Sequence, residues 1–269
     1  MQIVELHFST EPKCDYARIK SRAEAILGED LGSPDAAAAK NAFLLFHKQY
    51  PLKLKDAEVA PQTAILRADK PIRVDDYRDE IQQSWRFREC ADTLALSRHT
   101  ILVTEMMAQQ LPTGDRVRLF HGVLQVVIEV TKPIALVFKH TQQVVRPAEY
   151  LECADDAPIF RPGSMNVRFF NIANSAGDML MDTRGLSEIG LHDLQCHFQG
   201  LAPNDVSRLL FNSAIYLFEN GPVIESGNTI AGIDEGSKWV CQFENALVGP
   251  EREVLDLNPG APFAAGGRQ

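Results

Sequence analysis

Gln2-Ile3-Val4-Glu5-Leu6-His7-Phe8 alternates in character, with Val4, Leu6 and Phe8 on one face and Ile3, Glu5 and His7 on the other. A period of two marks a strand with one buried face. Residues 15–27 then place Tyr16, Ile19, Ala23, Ile26 and Leu27 at helical spacing, and Gly28 stops the run. Residues 32–40 form a small-residue connector with an alanine run. Ala42-Phe43-Leu44-Leu45-Phe46 is an apolar run of strand length, and residues 63–67 make a shorter strand. Asp75-Asp76 opens a helix to about Ala95, with acids at its positive end. Thr100-Ile101-Leu102-Val103-Thr104 reads as a buried strand. This βαββαβ order predicts a ferredoxin-like α+β half over residues 1–151. A helix over about 115–130 and a strand over 133–138 extend it.

Residues 152–164, acidic and holding two prolines and a glycine, read as a linker. A second, acidic α+β half packed against the first is expected over residues 165–257. Residues 166–172 and 179–182 are its first strands, joined by a turn at Asn174-Ser175-Ala176-Gly177. Residues 204–218 are a helix with Val206, Leu209, Leu210, Ala214 and Leu217 on one stripe. Residues 227–232 and 239–243 make a hairpin across Asp234-Glu235-Gly236, and residues 253–257 a last strand. The Pro/Gly/Ala-rich residues 258–269 are expected to be a disordered tail.

The charge is divided unevenly. Of 27 Lys+Arg and 36 Asp+Glu, residues 1–150 hold 20 of each sign, and residues 151–269 hold 7 basic and 16 acidic. Polyanion binding asks for a basic patch or stripe, so nucleic acid and anionic membrane are not expected partners. The N-terminus lacks a basic region followed by an apolar run, and no stretch has the roughly 18 apolar residues of a membrane helix. The five cysteines, Cys14, Cys90, Cys153, Cys196 and Cys241, are scattered and form no C-x-x-C pair. Buried reduced thiols of a cytoplasmic protein account for them.

No G-x-G-x-x-G, P-loop, H-E-x-x-H or G-x-S-x-G motif is present. The densest polar constellation runs over residues 181–198, MDTRGLSEIGLHDLQCHF, and supplies Asp182, Arg184, Asp193, Cys196 and His197 as a candidate functional cluster. Such side chains bind metals or act as nucleophiles. As a strand, residues 191–198 send Cys196 and His197 to opposite faces. Asp193 and His197 then share a face about 13 Å apart, at roughly 3.3 Å per residue. As a helix, His192/Cys196 and Asp193/His197 converge four residues apart. Bracketing glycines favour the strand. A bland reading stands beside the chemical one: a buried Cys196, capping or turn roles for Asp182 and Asp193, and a hydrogen-bonded His197. Elsewhere, His7 and His47 read as ordinary strand positions, Trp85, just before Phe87 and its bracketing Arg86 and Arg88, as a helix core residue, and Met106-Met107 as core filling.

These residues resemble a bacterial family described as a domain of unknown function (DUF4261-like). The resemblance rests on Asn166-Val167-Arg168-Phe169-Phe170-Asn171, Met181-Asp182-Thr183-Arg184-Gly185-Leu186 and Asp193-Leu194-Gln195-Cys196-His197-Phe198. Gly227-Asn228-Thr229-Ile230-Ala231-Gly232 and Pro250-Glu251-Arg252-Glu253-Val254-Leu255-Asp256 extend it. Gln83-Ser84-Trp85 and Ile101-Leu102-Val103-Thr104 are weaker matches in the first half. The family pattern has proline at the place of His192, which leaves Asp182, Asp193, Cys196 and His197 as shared positions. The resemblance implies a cytosolic bacterial protein and no particular reaction or cofactor.

The leading expectation is a non-enzymatic cytoplasmic binding protein, of immunity or regulatory type, whose acidic half receives a basic protein. The alternative is a metal-assisted hydrolase in which Asp182 and Asp193 hold an ion and His197 ligates or acts as base. A third reading has the second half bind a small ligand in a cleft against the first. Neither substrate nor oligomeric state is written in the sequence.

Overall fold

The computed structural model describes residues 1–36, 41–55, 57–68, 72–175 and 177–266. Residues 37–40, which hold most of the alanine run of the expected connector, lie outside them. The chain divides into two compact units, Met1–Ser164 and Met165–Gln269. The protein is α+β, with two antiparallel sheets, one mixed sheet and six helices among the described residues. None of those helices is long and apolar enough to cross a membrane.

In chain order the first unit contains β1 (Ile3–Phe8), α1 (Tyr16–Leu27), β2 (Ala42–Phe46), β3 (Leu52–Leu54), β4 (Ala57–Val59) and β5 (Gln62–Ala68). It continues with α2 (Arg78–Gln82), α3 (Cys90–Ala95), β6 (His99–Met106), α4 (Thr113–Thr131), β7 (Ala135–Phe138), β8 (Gln143–Val145) and α5 (Pro147–Glu152). Asp15 starts α1 by accepting from the Arg18 amide, and Gly28 ends it in the left-handed conformation that a side chain would disfavour. The main sheet runs β2-β5-β6-β1-β7-β8, antiparallel throughout, and β3-β4 form a small hairpin. Val4, Leu6 and Phe8 enter a core with Ile19 and Ala23 of α1 and Phe120, Val123 and Val127 of α4. A smaller core gathers Tyr77, Phe87, Cys90 and Leu94 with Ala135 and Val137.

The segment expected as one helix over 75–95 is a 3-10 turn, Val74–Tyr77, followed by the two short helices α2 and α3. At the break the Ser84 hydroxyl donates back to the Glu80 carbonyl and accepts from the Val144 amide of β8 at 2.7 Å. Trp85, expected in the core, is 57% exposed, and Phe87 is buried instead. The strand order also differs from a simple reading of the first six elements, because β6 lies between β5 and β1.

His47 is buried, its Nδ1 3.3 Å from Glu29 and its Nε2 3.0 Å from Thr63 Oγ1. Three of the cysteines are buried, whereas Cys14 and Cys153 are half-buried. Burial, reinforced by Asp256, pushes the Cys241 thiol up to about 11.

Residues 152–164 belong to the first unit. Gly163, at φ +90°, lies so close to Phe138 that a Cβ would meet the ring at 2.4 Å. Gly163→Ala combines that clash with left-handed strain and is expected to cost about 3 kcal/mol. Urea unfolding of the variant checks this, and an unchanged midpoint would show that the ring yields freely.

The second unit contains β9 (Asn166–Asn171), β10 (Met179–Arg184), β11 (Asp193–Phe198), α6 (Pro203–Asn220), β12 (Thr229–Ala231), β13 (Lys238–Asn245) and β14 (Glu253–Asn258). Its sheet runs β12-β13-β14-β11-β10-β9, with β11 and β14 parallel and the other pairs antiparallel. Pro203 stands in the first turn of α6, where its missing N–H costs nothing, and Val206, Leu210, Ala214 and Leu217 are buried. The helix packs on β9, β10 and β11. The described part of the expected loose tail is instead fixed. Phe263 accepts from the Gln199 amide at 2.8 Å, Ala264 bridges Phe198, and Ala265 is buried.

Candidate functional site

The constellation at 181–198 forms two adjacent strands, β10 and β11, so the strand alternative holds for residues 193–198. Their register sets Asp182 opposite Gln195. Asp182 also faces Arg168 on β9, and Gln195 faces Asp256 on β14, which in turn faces Gln242 on β13. Opposed residues share a sheet face, so one polar row crosses five strands. Leu194 and Cys196 occupy the other face of β11 and are fully buried.

Asp182 is fully buried and is met by two guanidiniums. Arg168 grips it with both Nε, at 2.8 Å, and Nη2, in the bidentate geometry that makes such pairs strong. Arg252 Nη2 donates to the same carboxylate at 2.7 Å. Asp193, also fully buried, accepts from Arg252 Nε at 3.0 Å, Arg184 Nη1 at 3.3 Å and the Leu186 amide at 3.1 Å. The hydroxyls of Thr183 and Ser187 lie 3.3 and 2.9 Å from it. Arg184 also reaches Glu188 at 3.0 Å. Three arginines thus face Asp182, Asp193 and Glu188, a balance of charge that buried ions require. Burial raises the Asp193 carboxyl from its ordinary value, with Arg184 and Arg252 pulling the other way.

Arg252 is the joint of this arrangement, because one guanidinium spans both aspartates. Arg252 comes from the connection between β13 and β14, which folds back on the sheet. The Ala246 amide donates to the Arg252 carbonyl at 2.9 Å, and Arg252 Nη1 donates to the Val248 and Pro250 carbonyls at 3.2 and 3.0 Å. Arg168 Nη1 reaches the Gly249 carbonyl at 3.0 Å, and Gln195 Oε1 accepts from the Leu247 amide at 2.8 Å. Six backbone groups of the connection are therefore held by side chains or by closure of the loop itself. Its Leu247 remains 50% exposed.

The candidate residues separate accordingly. Asp182, Arg184 and Asp193 come together. Cys196 points to the opposite face, and His197 turns to Asp178, with Nε2 3.6 Å from Oδ2. Gly266 sits against the His197 ring, where a Cβ would fall 2.6 Å from Nδ1. Asp182 and Asp193 meet on Arg252 rather than with His197. Among the described residues no three His, Cys, Asp or Glu side chains gather as ligands of one metal ion. His192 lies outside the clasp, against Phe243 with ring centroids 4.6 Å apart.

Sequence reasoning missed the roles of Arg168 and Arg252, although both fall in the stretches that carry the family resemblance. No local signal marked Arg168: a charge between Val167 and Phe169 is also the pattern of a strand whose polar face meets solvent.

No curated protein and no solved structure matches the chain. A family model described as "Domain of unknown function (DUF4261)" matches residues 182–258. The matched span begins at the aspartate gripped by Arg168 and includes Asp193, Arg252 and all of β14. By that match, residues 182–258 are DUF4261-like.

Proposed function

We propose that the second unit is a non-enzymatic binding module that presents the connection over residues 246–252 to a basic protein partner. The observation that carries this reading is Arg252. The two aspartates that could have served catalysis are both occupied by arginines, and their joint effect is to fix one loop. That loop offers exposed Leu247 and exposed Glu251 to solvent, an apolar anchor beside an acid. The 16 acids against 7 bases after residue 150 favour a cationic partner by steering its approach. An immunity or regulatory role in the bacterial cytoplasm fits such a module, and the five free cysteines are in keeping with a reducing compartment.

The companion reading of the first unit is a ferredoxin-like core. Its support is the neighbour order β5-β6-β1-β7, with α1 between β1 and β5 in sequence and α4 between β6 and β7. The elements differ from those that the sequence suggested, with β2 and β8 added at the edges.

The binding proposal is tested by capture from native lysate at low salt. The unaltered chain is expected to retain a specific basic protein. The double variant Leu247→Glu, Glu251→Lys is expected to lose it, with its Trp239 emission unchanged to show that the second unit is folded. A chain that retains no specific partner, or a variant that retains it equally, sinks the proposal.

A further inference from the structure

The first unit contains a cleft of about 530 Å³ beside α4, within the range of roughly 300–1,000 Å³ typical of small-molecule sites. Leu27 at the end of α1 gives it an apolar wall. Arg118 and Gln125 of α4 and Arg161 supply polar groups, and Asp155 and Asp156 are exposed along its edge.

Arg161 makes this a built site. It is 7% exposed, and its guanidinium is tethered to Gln125 Oε1 at 3.1 Å, the His121 carbonyl at 3.5 Å and the Ala154 carbonyl at 2.5 Å. Its Nε is buried without a hydrogen-bond partner. The guanidinium also stands over the Tyr150 ring, 5.9 Å from its centroid, so it is fixed in the cleft lining by partners on several sides. Arg118 is held over Tyr50 and donates to the Leu27 carbonyl at 3.2 Å, so a second guanidinium is fixed nearby.

Charges of both signs around one apolar wall select the ligand. A simple anion would meet Asp155 and Asp156, and a simple cation would meet two guanidiniums. A molecule carrying a carboxylate and an ammonium group satisfies both. We propose that this cleft binds a small zwitterion of amino-acid or dipeptide size with an apolar side chain. Its carboxylate lies toward Arg118 and Arg161, its ammonium toward Asp155 and Asp156, and its side chain against Leu27.

Calorimetric titration and thermal shift of the full chain test the inference, with L-leucine and L-leucyl-L-leucine as probes. Isovalerate and isopentylamine, each lacking one charge, serve as controls. At least one zwitterion is expected to bind, and both controls to bind about tenfold more weakly or worse, as loss of a charge-assisted contact implies. Arg161→Ala risks the fold, so Asp155→Asn with Asp156→Asn, and separately Arg118→Met, carry the mutational arm. Each is expected to weaken binding by about tenfold, and the Asp155→Asn, Asp156→Asn chain, altered only at exposed side chains, to keep its ligand-free melting temperature. No response to either zwitterion up to about 10 mM overturns the proposal, as does equal binding of a singly charged control. The cleft lies wholly in the first unit, so this result is independent of partner capture by the second.

Discussion

Replacing Arg252 by leucine is expected to lower the unfolding free energy of the second unit by about 3–5 kcal/mol, the usual consequence of stranding buried charge. The substitution removes a side chain that touches both Asp182 and Asp193. Each aspartate keeps an arginine, but three negative groups, two of them fully buried, then face two positive ones. The connection over 246–252 also loses its tether to the sheet. Urea unfolding followed by the emission of buried Trp239 measures the effect. Exchange protection of the Ala246 amide should fall further than that of the strands, because the loop opens before the sheet does. A loss below about 1 kcal/mol would mean that Arg252 behaves as a surface ion pair and that the clasp is ornamental.

The second large effect is acid lability of the first unit. Burial, assisted by Arg118, pushes the His47 imidazole down to about 4. Burial holds His121 well below its ordinary range, with Arg161 and His140 acting in the same direction. His121 is neutral within a relay that reaches Tyr150 at 2.8 Å and Ser164 at 3.3 Å. The unfolded chain takes up these protons near pH 6.5, and the folded chain does not. The unfolded state therefore binds more protons in this window, and stability falls as pH drops from 6.5 toward 4. For His47 alone the loss approaches about 3 kcal/mol, taking 1.36 kcal/mol per pH unit. Glu29, beside His47, opposes it: burial raises its carboxyl, so it takes a proton in the folded state first. Denaturant unfolding between pH 7 and pH 4, read by amide exchange in α4, should show the decline. His47→Gln with His121→Gln should flatten the slope, whatever it does to stability at pH 7. A native chain equally stable at both ends of the range would refute the account.

Much of the architecture was legible because hydrophobic period is a local property. The alternation through Phe8, the apolar run at 42–46 and the stripe of α6 each named their element correctly. The helix expected over 75–95 failed for a non-local reason. Tyr77, Ile81 and Trp85 keep helical spacing, and no proline or glycine interrupts them. Ser84, which follows the end of α2, is bonded to a strand sixty residues away in sequence. The site divides in the same manner. Asp182 and Asp193 stood out within one motif, whereas their partners lie 14 residues before and 70 residues after Asp182. Pairing across such distances is set by register and leaves no local pattern. Over the described residues 258–266 composition alone signalled a loose end, while Ala264 and Ala265 found places against β11.

The row of Arg168, Asp182, Gln195, Asp256 and Gln242 also answers a problem of alignment. In a sheet whose side chains alternate, sliding one strand by two residues returns every apolar group to its proper face. Hydrophobic patterning is blind to that error. Charge is not: such a slip of β10 would set Arg168 opposite Leu180 or Arg184 in place of Asp182, and would bring Asp182 away from Gln195. The polar midline thus serves as an address that only one pairing of strands can read, and the misaligned sheets are the ones it rejects.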